Sequence, residues 1–266
     1  MTLPPIGFGT YPLKGDGGVA TIEQALQTGY RLLDSAFNYE NEGTVGRAVR
    51  AFGSRDEVIV TSKLPGRHHA RDAALATIEE SLYRTGLDVI DLYLIHWPNP
   101  LTNHYVGAWT ALVEARERGL VREIGVSNFL PTHLERITVE TGVAPMVNQI
   151  ELHPYFPQTE ALAYHREHGI LTEAWSPLGR RTDLLGNETL GAIARRYDVS
   201  VAQVVLAWHV ARGVIPLPKA SSPERQRENL DIFDIKLSTD DVDRITALGR
   251  PDGRAKGQDP ASYEEF

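Results

Sequence analysis

The chain has 266 residues, no cysteine and a formal net charge of −8 at pH 7. The negative charge disfavours a nucleic-acid-binding protein, which needs a basic face for phosphates, and the lack of cysteine excludes disulfides and thiolate metal sites. The length suits one barrel domain over residues 1–266, and because neither a signal peptide nor an apolar run of ~18 residues is present, we expect a cytoplasmic protein outside the membrane.

Short apolar runs predict eight β-strands that alternate with helical segments. In chain order, the predicted strands are residues 6–10, 31–35, 57–64, 89–97, 122–128, 146–152, 170–177 and 214–219. Residues 71–86 have apolar side chains every three or four positions, which predicts an amphipathic helix, and residues 200–213 form a second helix with Ser200 as its N-cap. This alternation predicts a single parallel (β/α)8 TIM barrel. A doubly wound open sheet is the alternative, but Pro12 stands where its dinucleotide motif needs a third glycine.

Polar and aromatic side chains gather at the C-terminal ends of the predicted strands, where barrel enzymes build their active sites. They are, in chain order, Thr10, Tyr11, Asp34, Tyr39, Lys63, His96, Trp97, Ser127, Asn128, Gln149, Trp175, Ser176 and Lys219. Each of them alone has an ordinary explanation as a cap, a packing residue or a solvated side chain. Four groups able to move or stabilise protons follow three successive strands, so we interpret those four as one site.

Asp34, Tyr39, Lys63 and His96 together suit the delivery of a proton to a carbonyl oxygen. Free tyrosine has a pKa of ~10, and a nearby ammonium favours the phenolate and lowers that pKa. Lys63 supplies the ammonium, Asp34 keeps it charged and in place, and His96 orients the substrate oxygen. Tyr39 is then the general acid.

Carbonyl reduction also needs a hydride, which no side chain supplies, so a cofactor site is expected. Ser127, Asn128 and Gln149 offer groups for a carboxamide, and Trp175 offers a ring for stacking. The backbone of residues 176–179, which includes Ser176, Leu178 and Gly179, suits a pyrophosphate. Lys219, Ser222, Arg225, Glu228 and Asn229 follow the last strand, and Ser222 before Pro223 predicts a helix N-terminus favourable for phosphate.

The sequence strongly resembles the aldo-keto reductase family, and within it the bacterial members similar to 2,5-diketo-gluconate reductase. The resemblance covers about residues 6–250 and rests on motifs in the family's order and spacing. They read "GFGTY", "LLDSAFNYENE", "VTSKL", "DLYLIHWP", "IGVSNF", "VNQIELHP", "AWSPLG" and "IPLPKASSPERQREN".

The resemblance implies NADPH-dependent reduction of aldehydes and ketones on a (β/α)8 barrel, without metal. It places the catalytic tetrad on Asp34, Tyr39, Lys63 and His96. It places the nicotinamide contacts on Ser127, Asn128, Gln149 and Trp175, the 2′-phosphate contacts on Lys219, Ser222 and Arg225, and the adenine contacts on Glu228 and Asn229. The predicted cofactor site also includes Thr10 and residues 176–179. The predicted substrate site consists of Tyr11, Phe37 and Trp97.

The sequence departs from the family in two places. Ala220 replaces a serine that members usually carry after the lysine, which predicts the loss of one hydrogen bond near the phosphate, worth ~1 kcal/mol. Only residues 1–5 precede the first predicted strand, so we expect the family's N-terminal hairpin, which closes the barrel bottom, to be truncated or absent.

Two alternative functions stay open at this point. Lys63 would be the nucleophile of a Schiff-base aldolase or isomerase, although a paired carboxylate raises the pKa of a lysine and so opposes that role. A regulatory protein that binds the cofactor with little turnover is the second alternative. His68 and His69 lack the further ligands of a metal site. The sequence leaves the carbonyl substrate open, from α-dicarbonyls to sugar-derived ketones, and we expect a monomer.

Overall fold

The computed structural model, which describes residues 1–180, 182–254 and 256–266, contains a closed barrel of parallel strands. In the described residues the eight strands pair in chain order: β1 (Phe8–Gly9), β2 (Leu32–Asp34), β3 (Ile59–Leu64), β4 (Ile90–Ile95), β5 (Val121–Ser127), β6 (Val147–Glu151), β7 (Leu171–Trp175) and β8 (Val214–Pro216). The backbone N–H groups of Gly7 and Gly9 donate to the carbonyl oxygens of Pro216 and Pro218 at 3.0 and 3.1 Å, which closes the ring between β8 and β1. The predicted (β/α)8 TIM barrel is confirmed.

Helices cover the outside of the barrel. In the described part of the chain they are α1 (Gly15–Thr28), α2 (Glu42–Phe52), α3 (Arg71–Thr85), α4 (Tyr105–Glu117), α5 (Pro131–Thr141), α6 (Thr159–Glu167), α7 (Glu188–Tyr197), α8 (Val201–Ala211), α9 (Pro223–Leu230) and α10 (Thr239–Thr246). α3 and α8 are the two helices predicted from periodicity. Ser200 caps α8 in a reciprocal pair of hydrogen bonds with Gln203. Among the helices described, none has the length and apolar character needed to cross a membrane.

The strand β3 shows how the fold directs polar side chains into the barrel. Successive strand residues point to opposite faces. Val60 and Leu64 pack against the helices in apolar clusters, and Ser62 bonds to Glu42 of α2. Lys63 therefore points inward from the C-terminal end of the strand, where it is fully buried. The same alternation in the neighbouring strands collects inward polar groups at one end of the barrel.

The opposite end of the barrel is filled by apolar side chains. Leu3 is buried there with Leu92, Leu94 and Val147, which point inward from β4 and β6. No strand precedes β1 among the described residues, in agreement with the expectation of a truncated hairpin. Leu3 thus covers the barrel bottom, and this end contributes stability rather than chemistry.

Candidate active site

A cavity of about 560 Å³ opens at the C-terminal ends of the strands. Its lining includes most of the residues predicted for the site: Tyr11, Asp34, Tyr39, His96, Trp97, Ser127, Asn128, Gln149, Trp175, Ser176, Leu178 and Lys219. These residues come from seven different strands or the loops after them, so the barrel brings distant parts of the chain to one mouth. A cavity of this size suits a small ligand with a few fixed polar partners.

Lys63 and Asp34 form a buried ion pair beneath the cavity. The Nζ of Lys63 lies 2.6 Å from Oδ1 of Asp34 and donates a second hydrogen bond to the carbonyl oxygen of Ser35 at 2.7 Å. Burial alone lowers the pKa of Lys63, but Asp34 and then Tyr39 outweigh it, so that the pKa lies above its ordinary value. Lys63 is therefore a fixed ammonium ion at neutral pH.

Tyr39 lies between this ammonium and the open cavity. Its ring centroid is 5.1 Å from Nζ of Lys63 and 5.8 Å from the centroid of the His96 ring. Burial raises the pKa of the Tyr39 phenol above its usual value, and the charge of Lys63 opposes that rise. The expected downward effect of the ammonium is thus present, but desolvation exceeds it in this structure. The phenol stays protonated at neutral pH, which is the form a proton donor needs.

His96 follows β4 and lines the cavity beside Tyr39. Its Nδ1 lies 2.7 Å from Oε1 of Glu265, near the C-terminal end of the chain. Tyr39, His96 and Glu265 are therefore neighbours in the lining of the cavity.

A second hydrogen-bond network joins the far wall of the cavity. The side-chain amide of Gln149 donates to Oδ1 of Asp34 and to Oε2 of Glu173, both at 2.8 Å. Asn128 donates to the carbonyl oxygen of His96 at 3.0 Å and accepts from the Trp175 indole N–H at 2.8 Å. Gln149 uses both amide protons in this way, so its carbonyl oxygen is the group that it presents to a ligand.

The backbone is strained at two of the predicted cofactor contacts. Asn128 has φ 63° and Ser176 has φ 50°, the left-handed region that side chains other than glycine rarely adopt. Such conformations cost ~1–3 kcal/mol and concentrate at ligand sites, where surrounding structure enforces them. Both residues directly follow strands, and the Asn128 N–H donates to the carbonyl oxygen of Gln149 at 2.9 Å.

The region predicted to bind phosphate lies at the outer end of the cavity. Lys219 is exposed and bonded to Ser221, and the Ser222 hydroxyl caps α9 by accepting from the Arg225 N–H at 3.4 Å. Ala220 is buried in the apolar cluster against α1, so its side chain points away from the solvent-facing lysine. A serine here would point into that cluster in the same conformation.

Several predicted contacts lie outside the cavity lining. Phe37 packs beneath the Arg84 guanidinium at 3.9 Å and against His68. Thr10 is fully buried and donates to the carbonyl oxygen of Asp34 at 2.8 Å, and Asn229 is buried beside Tyr30. The remaining predictions away from the lining are Gly179, Ser222, Arg225 and Glu228. Their roles toward a ligand stay predictions.

Three residues that the sequence interpretation did not identify belong to this site. Glu265 contacts His96, Tyr263 packs on Trp97 with ring centroids 4.5 Å apart, and Glu173 shares the Gln149 amide with Asp34. Burial first, and the Asp34 carboxylate second, raise the pKa of Glu173 to about 7. Glu173 was detectable only as a carboxylate within an apolar strand, and the two C-terminal residues carry no sequence signal at all.

Comparison with known families decides the identity of this arrangement. The profile described as the Aldo/keto reductase family matches residues 5–250. The chain belongs to the Aldo/keto reductase family. The resemblance found from the strand-end motifs is therefore confirmed, as is an enzyme of the oxidoreductase class.

Individual relatives within the family match over nearly the whole chain. It is 55% identical to 2,5-diketo-D-gluconic acid reductase B of Corynebacterium sp. (strain SHS752001) over 261 residues, which is 98% of this chain and 94% of the relative. It is 42% identical to methylglyoxal reductase DkgA of Yersinia pestis over 265 residues, with the same coverage. Among solved structures, a mutant of Gox0644 in complex with NADPH superposes with a TM-score of 0.94 at 42% identity, covering 99% of this chain and 96% of that one.

The aldo-keto reductase site does not favour the Schiff-base alternative. A nucleophilic lysine must be neutral and reachable by substrate. Lys63 is fully buried and held by two hydrogen bonds, and Asp34 and Tyr39 keep its pKa raised.

Proposed function

We propose that this protein reduces small aldehydes and ketones to alcohols with NADPH, and that Tyr39 donates the proton. The observation that carries the proposal is the buried Lys63–Asp34 ion pair directly beneath a phenol that lines the cavity with His96. A fixed ammonium under a protonated phenol stabilises the phenolate that forms as the proton leaves.

The residues of the cavity fit a nicotinamide cofactor. Gln149 and Asn128 present amide oxygens that accept from a carboxamide, and the Trp175 indole, held by Asn128, offers a flat face. Gly9 lines the cavity, and a Cβ there would lie 3.0 Å from the carbonyl oxygen of Leu217, so a larger residue would crowd the segment after β8. At the outer end, Lys219 and Arg225 suit the 2′-phosphate that distinguishes NADPH from NADH.

The proposed reaction divides the work between the cofactor and the side chains. NADPH, when bound, supplies the hydride for the carbonyl carbon. Tyr39 transfers its hydroxyl proton to the carbonyl oxygen as negative charge develops there, and Lys63 stabilises the resulting phenolate. Asp34 keeps the ammonium in place, and His96 hydrogen-bonds the same substrate oxygen.

The substrates that we propose are α-dicarbonyls and sugar-derived ketones. Two relatives are named for such compounds, 2,5-diketo-D-gluconic acid and methylglyoxal. Tyr11 and Trp97 provide aromatic walls, and Arg180 and Lys256 add positive charge to the lining. This combination of a flat apolar wall and cationic groups suits a small, oxygen-rich carbonyl compound.

The test is a panel of carbonyl compounds followed by NADPH oxidation. We expect turnover of methylglyoxal and 2,5-diketo-gluconate and loss of that turnover in Tyr39→Phe. Absence of turnover with every carbonyl, together with tight NADPH binding, would favour the regulatory alternative instead. Borohydride trapping with substrate should leave Lys63 unmodified. The monomeric state, the cytoplasmic location and the lack of a nucleic-acid partner stay predictions.

A further inference from the structure

Two residues near the C-terminal end of the chain, Tyr263 and Glu265, line the catalytic cavity. Glu265 is buried and anchored through its own backbone: its carbonyl oxygen accepts from the Asn99 side chain at 2.8 Å, and its N–H donates to Oδ1 of Asn99 at 3.1 Å. Glu264 points the other way and accepts from the backbone of Leu101 and from the Thr102 hydroxyl. The backbone position of Glu265 therefore does not depend on its carboxylate.

Both carboxylate oxygens of Glu265 face hydrogen-bond donors. Oε1 accepts from the side-chain amide of Asn38 at 2.8 Å and lies 2.7 Å from Nδ1 of His96, while Oε2 accepts from the Gly66 N–H at 3.1 Å. Arg67 donates to the oxygen of the Asn38 amide, which leaves the Asn38 nitrogen turned toward Glu265. Loops after β2 and β3 thus fix the carboxylate against the histidine.

The charges around Glu265 identify His96 as its partner. His69, which also feels this carboxylate, has its pKa lowered to about 4 by burial and is neutral at pH 7. Burial raises the pKa of Glu265, but His96 and the hydrogen bonds outweigh burial, and the pKa is lowered overall. Tyr39 and Glu264 also lie nearby and carry no positive charge, and the Arg67 guanidinium donates to Asn38.

We propose that Glu265 is a positioning residue for the catalytic histidine: its carboxylate accepts a hydrogen bond from Nδ1–H of His96 and orients the ring so that Nε2 faces the substrate oxygen. An ionised carboxylate and a carbonyl oxygen both only accept hydrogen bonds, so Nδ1 carries a proton toward Glu265, and Nε2 carries one toward the substrate when His96 bonds both. The inference rests on the proposed role of His96 at the carbonyl. It assigns to the C-terminal segment a part in catalysis in addition to its part in the pocket wall.

The variant Glu265→Gln tests this role with little change of shape. Both carboxylate oxygens of Glu265 lie next to hydrogen-bond donors. The side-chain amide of a glutamine has only one oxygen, and its NH₂ group is itself a donor. The glutamine therefore cannot accept from Asn38, Gly66 and His96 together. We expect kcat for carbonyl reduction to fall about tenfold to a hundredfold, the scale of a misplaced catalytic group, while the Kd for NADPH is unchanged. Glu264→Gln is the matched control, and its kcat should stay within about twofold of the wild type.

A measurement independent of turnover follows the ring itself. Long-range ¹H–¹⁵N correlation spectra of the histidine rings, with His96 assigned from its absence in His96→Gln, should show a protonated Nδ1 in the wild type and in Glu264→Gln. The His96 signals should change in Glu265→Gln. Unchanged ring signals and kcat in Glu265→Gln, or an equal loss of kcat in both variants, would overturn the inference. A wild type that reduces no carbonyl, with ring signals that still respond to Glu265→Gln, would remove the proposed function and leave the positioning role supported.

Discussion

The inner and outer ends of the cavity differ in burial and in how strongly solvent screens their charges. At the inner end, Asp34, Lys63, Gln149 and Glu173 are buried and bonded to one another. At the outer end, Lys219 of the lining and Arg225, which lies beyond the lining, are exposed to solvent. Charges at the inner end act across a dry medium, where their interaction is strong and salt has little access, whereas charges at the outer end are screened over ~10 Å at 0.1 M salt.

We therefore expect the inner end to determine the rate of the chemical step and the outer end to determine which cofactor is preferred. Removing one partner of a buried ion pair strands the other, which costs ~3–5 kcal/mol, while an exposed pair is worth ~0–1 kcal/mol. Because the proposed proton donor and the ammonium beneath it lie at the inner end, substitutions there should change kcat by large factors that salt does not alter. Substitutions at the outer end should change cofactor affinity by smaller factors that shrink as salt is added.

Tyr39→Phe should give the largest effect on rate. In the proposed reaction the phenol hydroxyl acts on the substrate oxygen, and general acid catalysis contributes ~10²–10⁴ in rate. We expect a loss of kcat in that range, with the Kd for NADPH nearly unchanged, measured by stopped-flow reduction and by fluorescence titration. A variant that keeps more than about a tenth of kcat would exclude Tyr39 as the acid.

Lys63→Met should be as damaging to kcat as Tyr39→Phe, and it also leaves Asp34 without its cation. Residues that act as one unit have non-additive effects, so the double variant should be little worse than either single variant. Steady-state kcat of the four proteins completes the cycle. If the loss of kcat in the double variant equals the product of the two single losses, Tyr39 and Lys63 serve different steps. The inner end would then not act as one unit.

Glu173→Gln should change how stability depends on pH. The pKa of Glu173 is raised from 4.5 to about 7, so the folded protein binds more protons than the unfolded chain within that window, and its free energy of unfolding falls as the pH rises through it. The glutamine variant lacks this loss. Its stability relative to the wild type should therefore increase by about 2–3 kcal/mol between pH 5 and pH 8.

Denaturant unfolding at the two pH values measures this change, and Glu117→Gln, at an exposed position of α4, is the control. A stability difference that does not vary with pH would mean that Glu173 is ionised throughout. The inner end would then hold two carboxylates against a single ammonium.

Much of the inner end followed from the sequence because a barrel obeys simple rules. Apolar runs located the strands, and Lys63 and Asp34 stood at the ends of theirs, where parallel strands deliver side chains to a common mouth. Glu173 was missed because its partner is set by register: it lies opposite Gln149 only once β6 and β7 are aligned. The contact of Glu265 could not be predicted from sequence, since Asn99, the residue that anchors it, is 166 positions away.

Phe37 shows the limit of reading neighbours from sequence. It lies two residues before Tyr39, and both were expected to face the cavity. The short 3₁₀ turn Phe37–Tyr39 sends the two rings in different directions, and Phe37 packs under the Arg84 guanidinium. Local turn geometry, which composition does not specify, decides which of two nearby aromatic residues reaches a substrate.

Arg225→Ala tests the outer end and should give the smallest effect. NADPH differs from NADH by one phosphate, and Arg225 and Lys219 are exposed beside the N-cap of α9. A charge-assisted hydrogen bond is worth ~1.5–3 kcal/mol before screening, so we expect a loss of about tenfold in kcat/KM for NADPH at low salt and almost none for NADH. The loss should narrow as salt rises, unlike the losses at the inner end. Arg227→Ala is the matched control, because Arg227 lies on the same helix and pairs with Glu224 at 3.6 Å. Equal losses for both cofactors in Arg225→Ala would mean that the arginine supports the fold or the adenine, and the outer end would then no longer explain the choice of cofactor.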